Sequence, residues 1–273
     1  MKKLIALLLA ALLVLSFAAC SSDDSKKDSE NKTPEGSQSA NDGQTDAAFS
    51  TLKSGKLIMS TNAEFPPYEM TDDNGKYIGI DVEIAKAIAD KLGLKLEILD
   101  MDFDAALMAV QNGKSDIVMA GVTVNDDRKL VMNFTNSYAT GKQVIIVNKN
   151  STVTLDNLGE QMIGTQRGTT GYIYASDDYG DNHVTAYDNG ATAVRALKNG
   201  QVDCVIIDSA PAAEYVKANP GLKILETEYV VEDYAIGVTK NNPELLEAIN
   251  TALAELTADG TIQGIVDKYI SAE

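Results

Sequence analysis

From Lys56 onward, apolar and polar positions are grouped in alternating blocks. Lys56 to Ser60 is a short apolar run that reads as a strand. Asp81 to Leu92 sets Val82, Ile84, Ala85, Ile88, Ala89 and Leu92 at helical spacing, and Gly93 stops the pattern. A strand at 94–99 follows, then a helix capped by Asp104 that ends at Asn112-Gly113, then a buried strand from Asp116 to Gly121. A long extended run covers 138–147. Beyond it the pattern predicts a strand at 162–164, helices at 169–176 and 191–198, a strand at 202–207, a helix at 209–218 and a strand at 222–225. A second extended run at 229–238 precedes helices at 243–256 and 262–270. Such alternation predicts α/β units with mainly parallel sheets.

The alternation contains a repeat. Ala109-Val-Gln-Asn-Gly-Lys-Ser-Asp-Ile-Val118 aligns with Ala196-Leu-Lys-Asn-Gly-Gln-Val-Asp-Cys-Val205. Each is a helix end, an Asn-Gly stop and a buried strand opening with Asp. Two similar lobes follow from this, with the runs at 138–147 and 229–238 crossing between them and the last helices returning to the first lobe. Lobe 1 is expected at 51–140 plus 233–273, and lobe 2 at 141–232.

Composition narrows the function. The 273 residues are 44% hydrophobic, enough for a substantial core. The formal charge of −17 argues against nucleic-acid binding, which needs basic patches on phosphate. Two cysteines exclude a disulfide-rich scaffold or a four-thiolate zinc site, and a single histidine excludes a His-rich metal site. No cofactor is expected. Cys204 reads as a small core residue and His183 as part of a polar surface loop.

The N-terminus is an address. Lys2-Lys3, the apolar stretch Leu4 to Ala19 and small residues before Cys20 describe a signal peptide over 1–19. Small residues ahead of Cys20 resemble a bacterial lipobox, in which that Cys is acylated and becomes the mature N-terminus. The polar segment from Cys20 to residue 50 cannot offset its ordering entropy and is expected to be a disordered tether reaching roughly 30 Å. The membrane is thus met through a lipid anchor only.

In open α/β sheets, ligands bind beyond the carboxyl ends of strands. After strand 116–121 comes Thr123-Val-Asn-Asp-Asp-Arg128, and after strand 202–207 comes Asp208-Ser209. One end offers a guanidinium and amides for a carboxylate; the other offers a carboxylate for an ammonium. Together they match the zwitterion of an α-amino acid.

Gly79-Ile-Asp-Val-Glu-Ile-Ala-Lys-Ala-Ile-Ala-Asp-Lys-Leu-Gly93 resembles the signature of the family 3 bacterial solute-binding proteins, polar amino acid receptors of ABC importers. Phe65-Pro-Pro-Tyr68-Glu69, Met101-Asp-Phe103-Asp104, Ala120-Gly-Val-Thr123, Gly168-Thr169-Thr170 and Ala258-Asp-Gly260-Thr261 match in order over about 56–270. The resemblance implies a two-lobed type II periplasmic-binding-protein fold, each lobe a mainly parallel sheet flanked by helices, with a two-strand hinge. It also implies an amino acid ligand, an ABC permease as partner and a monomer. Arg128 would hold the α-carboxylate, helped by Thr123 and by amides near Gly121, Thr169 and Thr170. Asp208 would take the α-ammonium, and Phe65 and Phe103 would sandwich the side chain beside Ala120. Asn62 falls where receptors for cationic amino acids often carry Asp, which weakens a lysine or arginine assignment, although Glu64 and Asp102 are near in sequence. Gln166 sits where some glutamine receptors use Lys. The alternative is a dehydratase-like enzyme on the same fold, with Glu64 as its acid.

Overall fold

The computed structural model describes residues 49–226 and 229–270. The first half of the chain forms β1 (Lys56–Thr61), β2 (Glu64–Phe65), β3 (Glu69–Thr71), β4 (Tyr77–Ile78), α1 (Ile80–Lys91), β5 (Lys95–Asp100), α2 (Phe103–Gln111), β6 (Ile117–Val118) and α3 (Asp126–Val131). The long strand β7 (Met132–Asn148) then leads into the second half. There follow β8 (Ile163–Gln166), α4 (Thr170–Tyr179), β9 (Val184–Tyr187), α5 (Gly190–Lys198), β10 (Cys204–Asp208), α6 (Ser209–Ala218) and β11 (Leu222–Ile224). Strand β12 (Val230–Thr239) returns, and α7 (Pro243–Ala258) and α8 (Thr261–Tyr269) pack against α1.

One sheet runs through both halves in the order β5-β1-β6-β12-β7-β10-β8-β9, with β11 also paired to β7. Strands β5, β1 and β6 pair in parallel, as do β10, β8 and β9. Between them β12 and β7 pair antiparallel, with register shifts at Tyr234 to Gly237 that bend the crossing ribbon. Each half therefore places its first strand between its second and third, and each has its own switch point.

The repeated motif has a structural cause. Asp116 accepts from the amides of Leu52 and Ile58, both at 2.8 Å, while Asp203 accepts from the Met162 amide at 2.8 Å. In both places Asn-Gly ends a helix, with Gly113 and Gly200 at φ 63° and 70°. The following Asp then ties its strand to the parallel neighbour. The apolar stripe of α1 buries Ile80, Ile84 and Ile88 completely, against Leu57 and Met59 of β1 and Ile249 and Leu253 of α7. Each such side chain is worth roughly 1.5–3 kcal/mol.

Several expectations shift. The residue preceding α2 is Asp102, not Asp104, which sits in the first turn and accepts from the Ala105 amide. The strand expected over 116–121 pairs only at Ile117 and Val118, because Gly121 takes φ 55° and turns the chain away from the ladder. Phe49 packs on the core, and the Ser50 carbonyl accepts from Asn242 Nδ2 at 2.8 Å. Cys204 is fully buried, as expected. The signal peptide, Cys20 and nearly all of the tether lie outside the described residues. Among the described residues, no helix is long and apolar enough to cross a membrane.

Gly79 joins α1 to the turn that carries Phe65 and Glu69. It has φ 127°, and a Cβ there would lie 2.2 Å from the Tyr68 carbonyl oxygen. Gly79→Ala should cost about 2 kcal/mol or more. Urea unfolding would measure it, and a wild-type midpoint would refute the close approach.

Candidate ligand-binding site

Four carboxyl ends of strands converge at the two switch points. Asn62 follows β1, Ala120, Gly121 and Thr123 follow β6, Gln166 ends β8 just before Thr169 and Thr170, and Asp208 ends β10. With Phe65, Phe103, Arg128 and Glu69 they line one narrow, nearly filled cavity. All eleven residues expected from sequence are brought together there, and Glu69 is added.

Arg128 is 7% exposed. Its helix is set by Asn125, whose side chain caps α3 by accepting from the Arg128 amide at 2.8 Å. Nη1 donates to the Thr123 carbonyl at 2.8 Å and Nη2 to the Gly168 carbonyl at 3.1 Å, so the guanidinium touches both halves. Its carbon lies 5.4 Å from the Phe103 ring centroid. Among the described residues no carboxylate forms an ion pair with it. Burial holds its pKa down at about 10, with Glu232, Tyr174 and Asp208 pulling the other way. Two of five N–H donors are used, which leaves a fork for a bidentate anion. Thr169 caps α4 by accepting from the Tyr172 amide at 3.3 Å, and this helix start points amides at the same place. The Gly121 amide, expected to face the ligand, instead donates to Asp81 Oδ2 at 2.9 Å.

Asp208 is 7% exposed, and the Tyr234 hydroxyl donates to it. Burial pushes its carboxyl up to about 8, with Glu232 adding to the rise. Asn62 and Gln166 bond to each other, Nε2 of Gln166 donating to Oδ1 of Asn62 at 2.9 Å, while Asn62 Nδ2 donates to the Met101 carbonyl at 3.1 Å. Each aromatic ring has one face taken by protein: Phe65 stacks on Tyr68 at 5.9 Å, and Phe103 lies under Arg128.

Glu69 is the residue that sequence reasoning missed. It opens β3 opposite Phe65 and is fully buried; among the described residues no backbone or basic group donates to its carboxyl, whose hydrogen-bonding neighbour is the Asp81 carboxyl. Burial, then the neighbouring Asp81, raise its pKa well above the ordinary range. Asp81, pushed up by burial to about 6, is partly relieved by the Gly121 amide. The pair therefore keeps a proton, and Glu69 holds it, because no backbone donor relieves Glu69. Glu64 and Asp102, the carboxylates suggested by sequence, are exposed and outside the lining. A Glu closing the aromatic motif Phe65-Pro-Pro-Tyr68-Glu69 was the available signal.

The Asp208 carboxyl carries a pH dependence. An acid raised in the folded state binds its proton more tightly there than in the unfolded chain. Its stabilisation is complete below the ordinary Asp value and is lost as pH rises through about 8. Asp208→Asn should therefore abolish part of the stability loss between about pH 5 and 8. Urea melts at both pH values test this, and a slope equal to wild type would refute a shielded carboxyl.

The match to known proteins is extensive. The model of the bacterial extracellular solute-binding proteins, family 3, matches residues 57–272. A probable histidine-binding protein of Neisseria gonorrhoeae is 34% identical over 236 residues, 84% of this chain and 88% of its own length. An ancestral arginine-binding protein, solved bound to glutamine and bound to arginine, is 42% identical with TM-score 0.75, covering 80% of this chain and 99% of that one. The arginine-, lysine-, histidine-binding protein ArtJ of Geobacillus stearothermophilus is 32% identical with TM-score 0.76, covering 80% of this chain and 96% of that one. The fold is the two-lobed type II periplasmic-binding-protein fold. With cleft, sheet order and family model in agreement, this chain belongs to the bacterial extracellular solute-binding proteins, family 3.

Proposed function

We propose that this chain is an extracytoplasmic receptor that binds an L-amino acid with a cationic side chain, arginine foremost, between two closing lobes and hands it to an ABC import permease. The observation that carries the choice of side chain is Glu69, a buried carboxyl without a backbone or basic donor among the described residues, on the wall of a cavity that already offers Arg128 and Asp208 for the zwitterion. A guanidinium has the donors that Glu69 lacks. The names of the arginine-binding relatives support the same reading. Asn62 and Gln166 would supply amide contacts along the side chain, with Phe65 and Phe103 at its flanks.

In this reading lobe 1 is 51–140 with 233–273 and lobe 2 is 141–232. A lipid on Cys20 tethers a monomer to the outer face of the membrane once the signal peptide is removed. The receptor reading is preferred to the dehydratase alternative because Glu64, the acid that could have served it, is exposed on β2.

A thermal-shift screen against the twenty amino acids should give arginine the largest rise in Tm, since a ligand at a hundredfold excess over its Kd stabilises by about 2.7 kcal/mol. No rise with any cationic amino acid would defeat the assignment. Arg128→Ala should cost about two to four decades of affinity for any amino acid, because a buried charge pair losing one partner costs roughly 3–5 kcal/mol. Glu69→Gln should weaken arginine by about tenfold or more while leaving glutamine nearly unchanged, the loss of one charge-assisted bond. Calorimetry reads both variants, and equal losses for the two ligands would place Glu69 away from the side chain.

A further inference from the structure

Hydrogen bonds cross the cleft between the halves at several places. Gln166 to Asn62 and Arg128 to the Gly168 carbonyl involve residues of the cavity wall, so substituting Gln166, Asn62 or Arg128 disturbs the ligand site as well as closure. One crossing bond lies outside that wall: the Tyr215 hydroxyl, on α6, donates to the Glu64 carbonyl on β2 at 3.1 Å. Tyr215 is half-buried and lines no part of the cavity.

Both ends of this bond are held. The Glu64 amide donates to the Asn62 carbonyl at 2.7 Å, and β2 pairs with β3, so the Glu64 carbonyl has a fixed position on the first half. On the second half the Tyr215 ring lies over Gly190, at the start of α5. A Cβ added to Gly190 would sit 3.1 Å from both the ring edge and the hydroxyl, and 2.6 Å from Ile207. The ring therefore spends little rotamer freedom in making the bond. The bond also exists only while β2 and α6 are together. Any contact present in one state of a two-state hinge and absent from the other biases that equilibrium by its own free energy.

We propose that Tyr215 is a positioning residue, a latch that holds the lobes closed and so sets how long a ligand stays, without touching the ligand. The proposal rests on the two-lobed receptor reading given above. Removing only the hydroxyl lowers the closed population, so affinity falls through faster opening, while the contacts made by the ligand are unchanged.

The test is Tyr215→Phe, which keeps the ring packed on Gly190. With arginine as probe, stopped-flow and calorimetry should show a Kd about three- to tenfold weaker, carried by the dissociation rate. Solution scattering of the arginine-saturated variant should give the wild-type radius of gyration, since the closed form itself is intact. Without arginine the variant should be the larger of the two proteins. A wild-type dissociation rate overturns the latch; so does a larger radius at saturation, which would mean a damaged structure rather than a shifted equilibrium. Should arginine bind neither protein, the arginine assignment has failed on its own. Scattering of the two unliganded proteins then decides the latch alone, and equal radii overturn it.

Discussion

The burial of one guanidinium at the seam between two halves organises this molecule. Taking Arg128 out of water costs several kcal/mol unless polar groups replace the lost hydration. The protein replaces only part of it, with two carbonyls, one from each half, and the face of Phe103. No described carboxylate is spent on neutralising it. Glu232 and Asp208 act on it without forming an ion pair, and Asp208 is itself engaged by Tyr234. In the proposed receptor an amino acid carboxylate would complete the guanidinium, and the ammonium of the same molecule would complete Asp208. Because the two groups belong to different halves, one molecule bonded to both would require the halves to meet.

The sheet order follows from that requirement. In each half the first strand lies between the second and third, so the chain reverses its direction of growth there and leaves a crevice at the carboxyl ends. The crossing strands β7 and β12 set the two crevices face to face. The Asp-led motif at 116 and 203 secures each crevice by pinning the parallel neighbours, which is why it recurs at equivalent places. Short irregular pieces do the remaining work: β2 to β4 carry Phe65 and Glu69 to the wall, anchored to the start of α1 through the Ile80 and Asp81 amides.

Much of this was legible in the sequence because it rests on period and punctuation. Helical stripes, Asn-Gly stops and buried strands opening with Asp mark the α/β units, and Asp208 and the Thr123 to Arg128 motif follow such strands. What escaped has equally physical reasons. Strands of two or three residues, as in β2 to β4, carry no periodicity to detect. Gly121 ended β6 early through its backbone angle, which apolar patterning does not report. Glu69 went unassigned because a carboxylate beside aromatic residues looks like a solvated edge until folding removes backbone and basic donors from it. Glu64 and Asp102 were preferred for their closeness to Asn62 in sequence, yet alternation along β2 and the cap position before α2 turn both outward.

The acidic character of the cavity is the final constraint on the ligand. Glu69, Asp81, Asp208 and Glu232 are all buried around it, against a single guanidinium. Like charges so placed do not all ionise easily, and burial accordingly raises Glu69, Asp81 and Asp208 above the ordinary carboxyl range. A neutral amino acid brings no net charge and leaves that imbalance in place. A cationic one would bring a positive charge to Glu69, which has no backbone or basic donor among the described residues, and would displace the proton that Glu69 keeps. On the proposed reading the imbalance would favour a cationic side chain even though Asn62 offers it only an amide, because β3 would supply the charge that is absent at position 62.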